Sequence, residues 1–129
     1  MKNWVAVGSV LGALAVIAGA FGAHGLAARL AERGTAATFE TGAHYHLVHA
    51  VALTLCGVLE RTGLRIGLAA HGFLWGTVVF SGSLYVLALT GPKWLGAITP
   101  VGGTLMIVGW LALAYAAWRS SRAGRGLDE

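Results

Sequence analysis

The sequence predicts an all-α polytopic membrane protein, a compact bundle of four transmembrane helices with a short interfacial helix between spans one and two. Hydrophobic residues make up 57% of the 129 residues and charged residues only 11%, whereas about a quarter are charged in soluble domains. Four long windows lack Asp, Glu, Lys and Arg, and each can supply the roughly 20 apolar residues that cross a hydrocarbon core. None has the charged face that a helix of a soluble bundle needs. These windows are residues 3–28, 41–59, 66–92 and 94–118.

We expect one membrane domain over residues 1–129, with its first span at about residues 4–21. The start of the chain also resembles a secretory signal peptide, since one lysine precedes an apolar run that ends in small residues. We expect this segment to be retained as a span. Small residues recur along it at helical spacing, which lets a neighbouring helix of the same molecule approach closely. The expected packing positions here are Gly8, Gly12, Gly19 and Gly22.

The longest connection joins spans one and two and reads GLAARLAERGTAATFE. Leu26 and Leu30 fall on one side of a helix and the charged residues towards the other, a pattern typical of a short helix at the membrane interface. Gly34 is expected to end this helix. Thr35 or Thr38 is expected to cap the next one.

The remaining spans are expected at about residues 41–59, 67–89 and 100–118. Gly72 and Gly76 repeat the small-residue spacing in span three and are expected to pack against another helix. Thr99 and Pro100 are expected to begin span four, as its N-cap and its first-turn proline.

The basic residues lie beside the spans, where membrane topology places them, so we expect the lipid bilayer as partner and no nucleic acid. Four spans put both termini on one side of the membrane. That side has Lys2, Arg61, Arg65, Arg119, Arg122 and Arg125, and the other has Arg29, Arg33 and Lys93. Because basic residues are enriched on the cytoplasmic side, this distribution predicts that both termini are cytoplasmic.

Three histidines stand at the head of span two, in the stretch TGAHYHLVHAVALTLCGVLE at residues 41–60. On a regular helix His46 and His49 lie about 60° apart, and His44 lies about 160° from His46. The three side chains therefore cannot converge on one ion. We expect no metal and no cofactor, and a metal or haem site would have to use His46, His49 and His24.

Four roles remain open for these histidines. A neutral imidazole in hydrocarbon needs a partner, so the expected role is hydrogen bonding between helices. A proton or small-solute path could use His49 and Glu60, since ionisable groups inside membranes are often functional. A zinc site lacks carboxylate or thiol ligands nearby, and catalysis is not expected because no acid lies inside a span. The expected polar cluster is His24, Tyr45, His49, Ser81, Ser83 and Tyr85.

Four strings follow one another along the chain: GAFGAHGL at 19–26, YHLVHAVAL at 45–53, FSGSLY at 80–85 and TPVGGTLMIVGW at 99–110. This ordered set resembles the domain of unknown function 423 (DUF423) family, small multi-span proteins of bacterial inner membranes with eukaryotic relatives. The resemblance covers nearly the whole chain. It implies a compact four-helix membrane fold and an inner-membrane location, and it implies no activity. The matching positions are Gly19, Gly22, His24, Gly25, Tyr45, His49, Ser81, Gly82, Ser83, Tyr85, Thr99, Pro100, Gly102 and Gly103.

Together these features predict a non-enzymatic inner-membrane protein with a structural, interaction or ligand-binding role. One alternative is a small channel or transporter for protons or a small solute, using His49 and Glu60. Another is an accessory subunit of a larger membrane complex. A homo-oligomer is compatible with each of these roles.

Overall fold

The computed structural model describes residues 3–125, with the backbone alone for Gly124 and Arg125. Over this range the chain forms helices joined by short connections, and it has no strand. Four of the helices, all except α2, are long and apolar enough to cross a membrane. The predicted all-α, four-span class is therefore confirmed. In chain order the helices are α1 (Trp4–Ala23), α2 (Ala27–Arg33), α3 (Ala36–Glu60), α4 (Gly67–Thr90) and α5 (Leu95–Arg125).

The four long helices pack mainly in sequence order. Helix α1 packs on α3, α3 on α4 and α4 on α5, while α2 lies against α1, α3 and α4. The central helices α3 and α4 each have 44% of their apolar window buried, compared with 11% for α1 and 22% for α5. The outer helices therefore present most of their apolar surface to the surroundings, as expected where lipid replaces water.

Two hydrophobic clusters fill the two ends of the bundle. The larger contains Trp4 of α1, Leu53 and Cys56 of α3, and Phe73 of α4, with Leu113 of α5 packed against it. This cluster brings the start of α1, the end of α3 and the start of α4 to one end, which we call the terminal end. The smaller cluster lies at the opposite end, which we call the α2 end.

Helix α2 docks on the bundle as the sequence predicts. Leu30 is only 2% exposed and packs with Phe39 and Ala88. Gly34 ends the helix with a left-handed φ of 65°, which glycine adopts without steric cost. Thr35 stands at the N-cap position of α3 but makes no capping bond, because its hydroxyl donates instead to the carbonyl of Ala88, 2.8 Å away.

The expected start of the last helix is wrong. Helix α5 begins at Leu95, so Pro100 lies inside it. The helix directly follows a tight turn in which the N–H of Leu95 donates to the carbonyl of Pro92 at 3.1 Å. Pro100 costs one backbone hydrogen bond in the second turn, and membrane helices tolerate prolines where neighbouring groups compensate. Thr99 is consequently a helical residue and not a cap.

The glycines expected to mediate packing divide into two sets. A Cβ atom on Gly22 would lie 2.6 Å from the Phe39 ring, one on Gly72 2.8 Å from backbone atoms of α5, and one on Gly76 2.7 Å from Met106. A Cβ atom on Gly8 would likewise collide with the backbone of α3. A Cβ atom on Gly12 would make only ordinary contact at 3.9 Å, and one on Gly19 would have nothing within 4 Å. Gly19 is therefore not a close-packing position, because it borders a cavity that also contacts α2 and α3.

Candidate functional site

His49 is buried in the middle of the bundle and is hydrogen-bonded through both ring nitrogens. Its Nδ1–H donates to the carbonyl of Tyr45 one turn earlier, at 2.8 Å. Its Nε2 accepts the indole N–H of Trp110, at 3.1 Å. Because an indole nitrogen can only donate, Nε2 must carry a lone pair. The geometry therefore assigns a neutral His49 with the proton on Nδ1.

Aromatic rings surround His49 from two other helices. The ring centroid of Phe73 in α4 lies 5.7 Å from that of His49, and the centroid of Trp110 in α5 lies 6.0 Å away. Phe73 and Trp110 are themselves in edge-to-face contact at 4.8 Å. We call His49, Trp110 and Phe73 the aromatic triad. It joins α3, α4 and α5 at one point.

Trp110 is the residue that sequence reasoning missed in this triad. The available signal was its position. Tryptophans of membrane proteins concentrate at the two interfaces, whereas Trp110 lies sixteen positions into the 31-residue helix α5. A tryptophan far from either interface has an N–H group that needs a partner inside hydrocarbon.

His46 forms a second cross-helix bond, to a different helix. It is 7% exposed, and its Nδ1 lies 3.0 Å from the hydroxyl of Tyr85 in α4. Tyr85 also packs against Phe39, with ring centroids 4.9 Å apart. The expected polar cluster contained Tyr85 but left out His46. The histidine that bonds Tyr85 is thus His46, about one turn before His49, the histidine that the expected cluster included.

Two buried polar atoms near this bond have no hydrogen-bond partner among the described residues. One is Nε2 of His46, the ring nitrogen that does not bond Tyr85. The other is the hydroxyl of Ser81, a residue only 1% exposed and one turn before Tyr85 on α4. Such atoms are uncommon in folded proteins, and each suggests a small polar guest such as water.

The other members of the expected cluster have separate roles. The hydroxyl of Ser83 lies 2.9 Å from the carbonyl of Phe80 and 2.7 Å from the hydroxyl of Thr99, so it contacts α5. Tyr45 is 42% exposed. It contributes its carbonyl to His49, while its ring packs on Phe80 at 4.9 Å.

The remaining histidines lie apart from the buried pair. His24 follows the last residue of α1 and is exposed, so it does not join the cluster. His44 is also exposed. His71 lies at the terminal end, edge-to-face with Trp4 at a centroid distance of 4.9 Å. Within residues 3–125, no group of three or more His, Cys, Asp or Glu side chains could hold a metal ion.

Comparison with known proteins supports the resemblance seen in the sequence. A protein-family model described as "Protein of unknown function (DUF423)" matches residues 18–103. The chain belongs to the DUF423 family. A UPF0382 membrane protein of Staphylococcus epidermidis is 41% identical over 117 residues, covering 90% of this chain and 95% of the relative. The UPF0382 membrane protein YwdK of Bacillus subtilis is 40% identical over 120 residues, covering 91% and 97%.

A third relative extends this set. A UPF0382 membrane protein of Haemophilus influenzae is 35% identical over 124 residues, covering 93% of this chain and 98% of the relative. No solved structure matches the chain. The DUF423 protein is thus similar over nearly its whole length to proteins named as membrane proteins, and these names specify no activity.

In this DUF423 protein, His49 and Glu60 are not joined by polar groups. They are eleven residues apart on α3, which is about 16 Å along a helix axis. Leu53 and Cys56 lie between them and are both 0% exposed, inside the apolar cluster of the terminal end. The geometry therefore does not support the alternative of a proton path through this pair of residues.

The arginines at the α2 end of the DUF423 protein bind the protein itself. Arg29 donates to the carbonyl of Leu89, and Arg33 to the carbonyl of Ala88, each at 3.3 Å. These carbonyls belong to the last turn of α4, where four carbonyls lack an intrahelical partner. The guanidinium groups satisfy them and carry the positive charge that a helix C-terminus favours.

Proposed function

We propose that this DUF423 protein is a non-enzymatic protein of the bacterial inner membrane that acts by association within the membrane. In this proposal its buried histidines hold its own helices in place. The observation that carries the proposal is the bonding of His49. Its two ring nitrogens are engaged by Tyr45 and Trp110, so neither is available to ligate a metal or to receive a substrate proton.

The surroundings of the histidines also favour a structural role. No acidic residue occurs in the apolar stretches on either side of His49, so a general base or a counter-ion is missing. Tyr85 and Trp110 come from two different helices. Bonds of this kind between helices are the usual way in which polar side chains are satisfied inside a membrane.

Association within the membrane is favoured by the apolar surfaces of the outer helices. The connections are short, and within residues 3–125 the apolar windows of the outer helices α1 and α5 are the least buried. These faces carry exposed apolar side chains such as Ile17, Phe21, Ile107 and Leu111. A small protein without a catalytic centre can act on another membrane protein, or on a second copy of itself, through such a lateral surface.

The proposed orientation has both termini in the cytoplasm. Arg61, Arg65, Arg119 and Arg122 belong to the terminal end, while Arg29, Arg33 and Lys93 belong to the α2 end. Lys2 lies outside the described residues, and the side chain of Arg125 is not described. A green fluorescent protein fused to the C-terminus should fluoresce if that end is cytoplasmic. Absence of fluorescence, with activity of a periplasmic reporter at the same position, would reverse the orientation.

The association is tested by purification from its native membrane in a mild detergent, followed by native mass spectrometry. We expect the chain with a stoichiometric partner, either a second copy or a different membrane protein. A bare monomer in several mild detergents and in lipid nanodiscs would refute the proposal.

The structural role of the histidine is tested separately by measuring unfolding. His49→Ala should lower the free energy of unfolding, whereas His44→Ala, an exposed position on the same helix, should change it little. If His49→Ala leaves stability unchanged, the structural role is wrong.

A second candidate function, a path for protons or a small polar solute, is favoured by one specific observation. Nε2 of His46 and the hydroxyl of Ser81 are buried without partners, and polar atoms in that state are where a membrane protein would hold water or a solute. Proteoliposomes with an internal pH-sensitive dye would show a flux that His46→Ala abolishes and His44→Ala preserves. Flux no greater than in empty liposomes would exclude this function.

A further inference from the structure

A cavity lies at the terminal end, and among the described residues no histidine lines it. It has a volume of about 360 Å³ and lies between the connection from α3 to α4 and the C-terminal half of α5. This volume is within the range of ligand-binding pockets, about 300–1,000 Å³. Its lining includes Arg65, Leu68, Ala112, Tyr115, Arg119 and Ser120.

The lining of the cavity combines two chemistries. Arg65, Arg119 and the hydroxyl of Ser120 provide positive charge and hydrogen-bond donors, while Leu68 and Ala112 provide an apolar wall. Leu68 is 67% exposed, so the wall continues into the lipid-facing surface. The lining therefore combines basic and apolar side chains.

The guanidinium groups of the cavity remain available to a ligand. Within residues 3–123, neither Arg65 nor Arg119 forms an ion pair with a carboxylate. Arg119 lies near the Tyr115 ring, 5.8 Å from its centroid. The arginines of the α2 end differ, because Arg29 and Arg33 are bound to carbonyls of α4. Among the described residues, the terminal end thus combines a cavity with guanidinium groups that have no carboxylate partner.

The depth of these arginines matches that of lipid headgroups. Arg65 comes two residues before the first residue of α4. Arg119 directly follows the last charge-free window, which ends at Trp118. Both side chains therefore start at the edge of the apolar span, where long basic side chains extend towards lipid phosphates.

We propose that this cavity binds one anionic phospholipid, with its phosphate between Arg65 and Arg119 and the upper part of an acyl chain along Leu68 and Ala112. Arginine is suited to phosphate because its planar fork can donate two parallel hydrogen bonds to one oxyanion. A free phosphate would satisfy the charge but would leave the apolar wall unused. Basic pockets between membrane helices bind anionic lipid headgroups in this way.

The test measures lipid binding to the full chain in mild detergent by native mass spectrometry. The protein is titrated with phosphatidylglycerol, with phosphatidylcholine of the same acyl chains, and with inorganic phosphate. We expect preferential binding of phosphatidylglycerol and no competition by phosphate at equal concentration. The double variant R65Q/R119Q should bind phosphatidylglycerol roughly thirtyfold more weakly, taking about 1 kcal/mol for each arginine at a membrane surface.

A matched control separates the cavity from the general charge of this end. R61Q/R122Q removes the same charge from the same end at positions that do not line the cavity, and it should retain most of the binding. Equal losses in both double variants would overturn the proposal in favour of a diffuse basic surface. Equal binding of the two lipids would also overturn it, and competition by inorganic phosphate would replace the lipid with a free anion.

A second variant fills the cavity without altering charge. Ala116 lines the cavity and is partly exposed, so Ala116→Leu should occupy the acyl-chain wall. We expect it to weaken phosphatidylglycerol binding while both arginines remain. Unchanged binding in this variant would show that the cavity is not where the lipid sits.

Discussion

The bond between His49 and Trp110 leads to the most specific prediction. Trp110→Phe removes the indole N–H that lies 3.1 Å from Nε2 of His49 but keeps an aromatic ring beside Phe73. The buried nitrogen then has no donor. Because the bond joins α3 to α5, helices that have few other contacts with each other, its loss should weaken their attachment.

The expected magnitude follows from the geometry and the surroundings. A buried acceptor left without its donor costs about 1–3 kcal/mol in soluble proteins. Hydrogen bonds between membrane helices average about 0.6 kcal/mol and reach about 1.7 kcal/mol. The 3.1 Å separation and the 43% exposure of Trp110 place this bond near the lower figure. We therefore expect a coupling energy of about 0.6–1 kcal/mol.

The assay is a double-mutant cycle of Trp110→Phe and His49→Leu, followed by reversible unfolding in mixed detergent micelles. Trp75→Phe is the matched control, since Trp75 is 54% exposed and its replacement should change stability by less than about 0.5 kcal/mol. If the stability changes of the two single variants add to that of the double variant within about 0.3 kcal/mol, the bond does not stabilise the contact between α3 and α5.

Three further predictions concern single positions and use the same unfolding assay. Gly72→Ala should lower the free energy of unfolding by about 1–3 kcal/mol, because the added Cβ would lie 2.8 Å from the α5 backbone. Gly19→Ala is the control and should leave stability unchanged, so equal effects of the two variants would contradict the prediction. Tyr85→Phe leaves His46 without its 3.0 Å partner and should cost about 1 kcal/mol; an unchanged midpoint would argue against the bond. Thr35→Val removes a 2.8 Å bond to the end of α4 and should also cost about 1 kcal/mol, so a neutral result would show that water replaces it.

The fold was predictable because the positions of charged residues along the sequence are enough to locate the membrane spans. A charge within a span is costly, so the four charge-free windows alone locate the four long helices. The start of α5 was not predictable in this way. Lys93 and Pro100 both looked like boundaries, but a proline in the second turn removes only one hydrogen bond, so the helix begins between them at Leu95.

For the site, the sequence predicted the type of interaction but not which residues make it. Polar residues on α3 and α4 indicated cross-helix bonds, and the bond of Tyr85 to a histidine is of the expected type. The choice of histidine was not predictable, because His46 and His49 lie only about 60° apart on a helix. Which of them reaches Tyr85 depends on how α3 is rotated about its axis. That rotation is limited by close contacts such as the one between Gly57 and Val5, which the spacing of small residues did not reveal.

The closest glycine contacts and the histidine bonds lie at different interfaces. At Gly8 and Gly57 the backbones of α1 and α3 come close together, and at Gly72 and Gly102 those of α4 and α5 do. Close approach of this kind gives dense van der Waals packing, which replaces the hydrophobic effect where lipid is the solvent. The two buried histidines of α3, in contrast, bond to residues of α4 and α5. The closest backbone approaches therefore lie within the pairs α1–α3 and α4–α5, while the histidines bond between the pairs, where Gly42 also packs against Leu84 and Tyr85. Loss of the histidine bonds should therefore loosen the contact between the two pairs more than the packing within each pair.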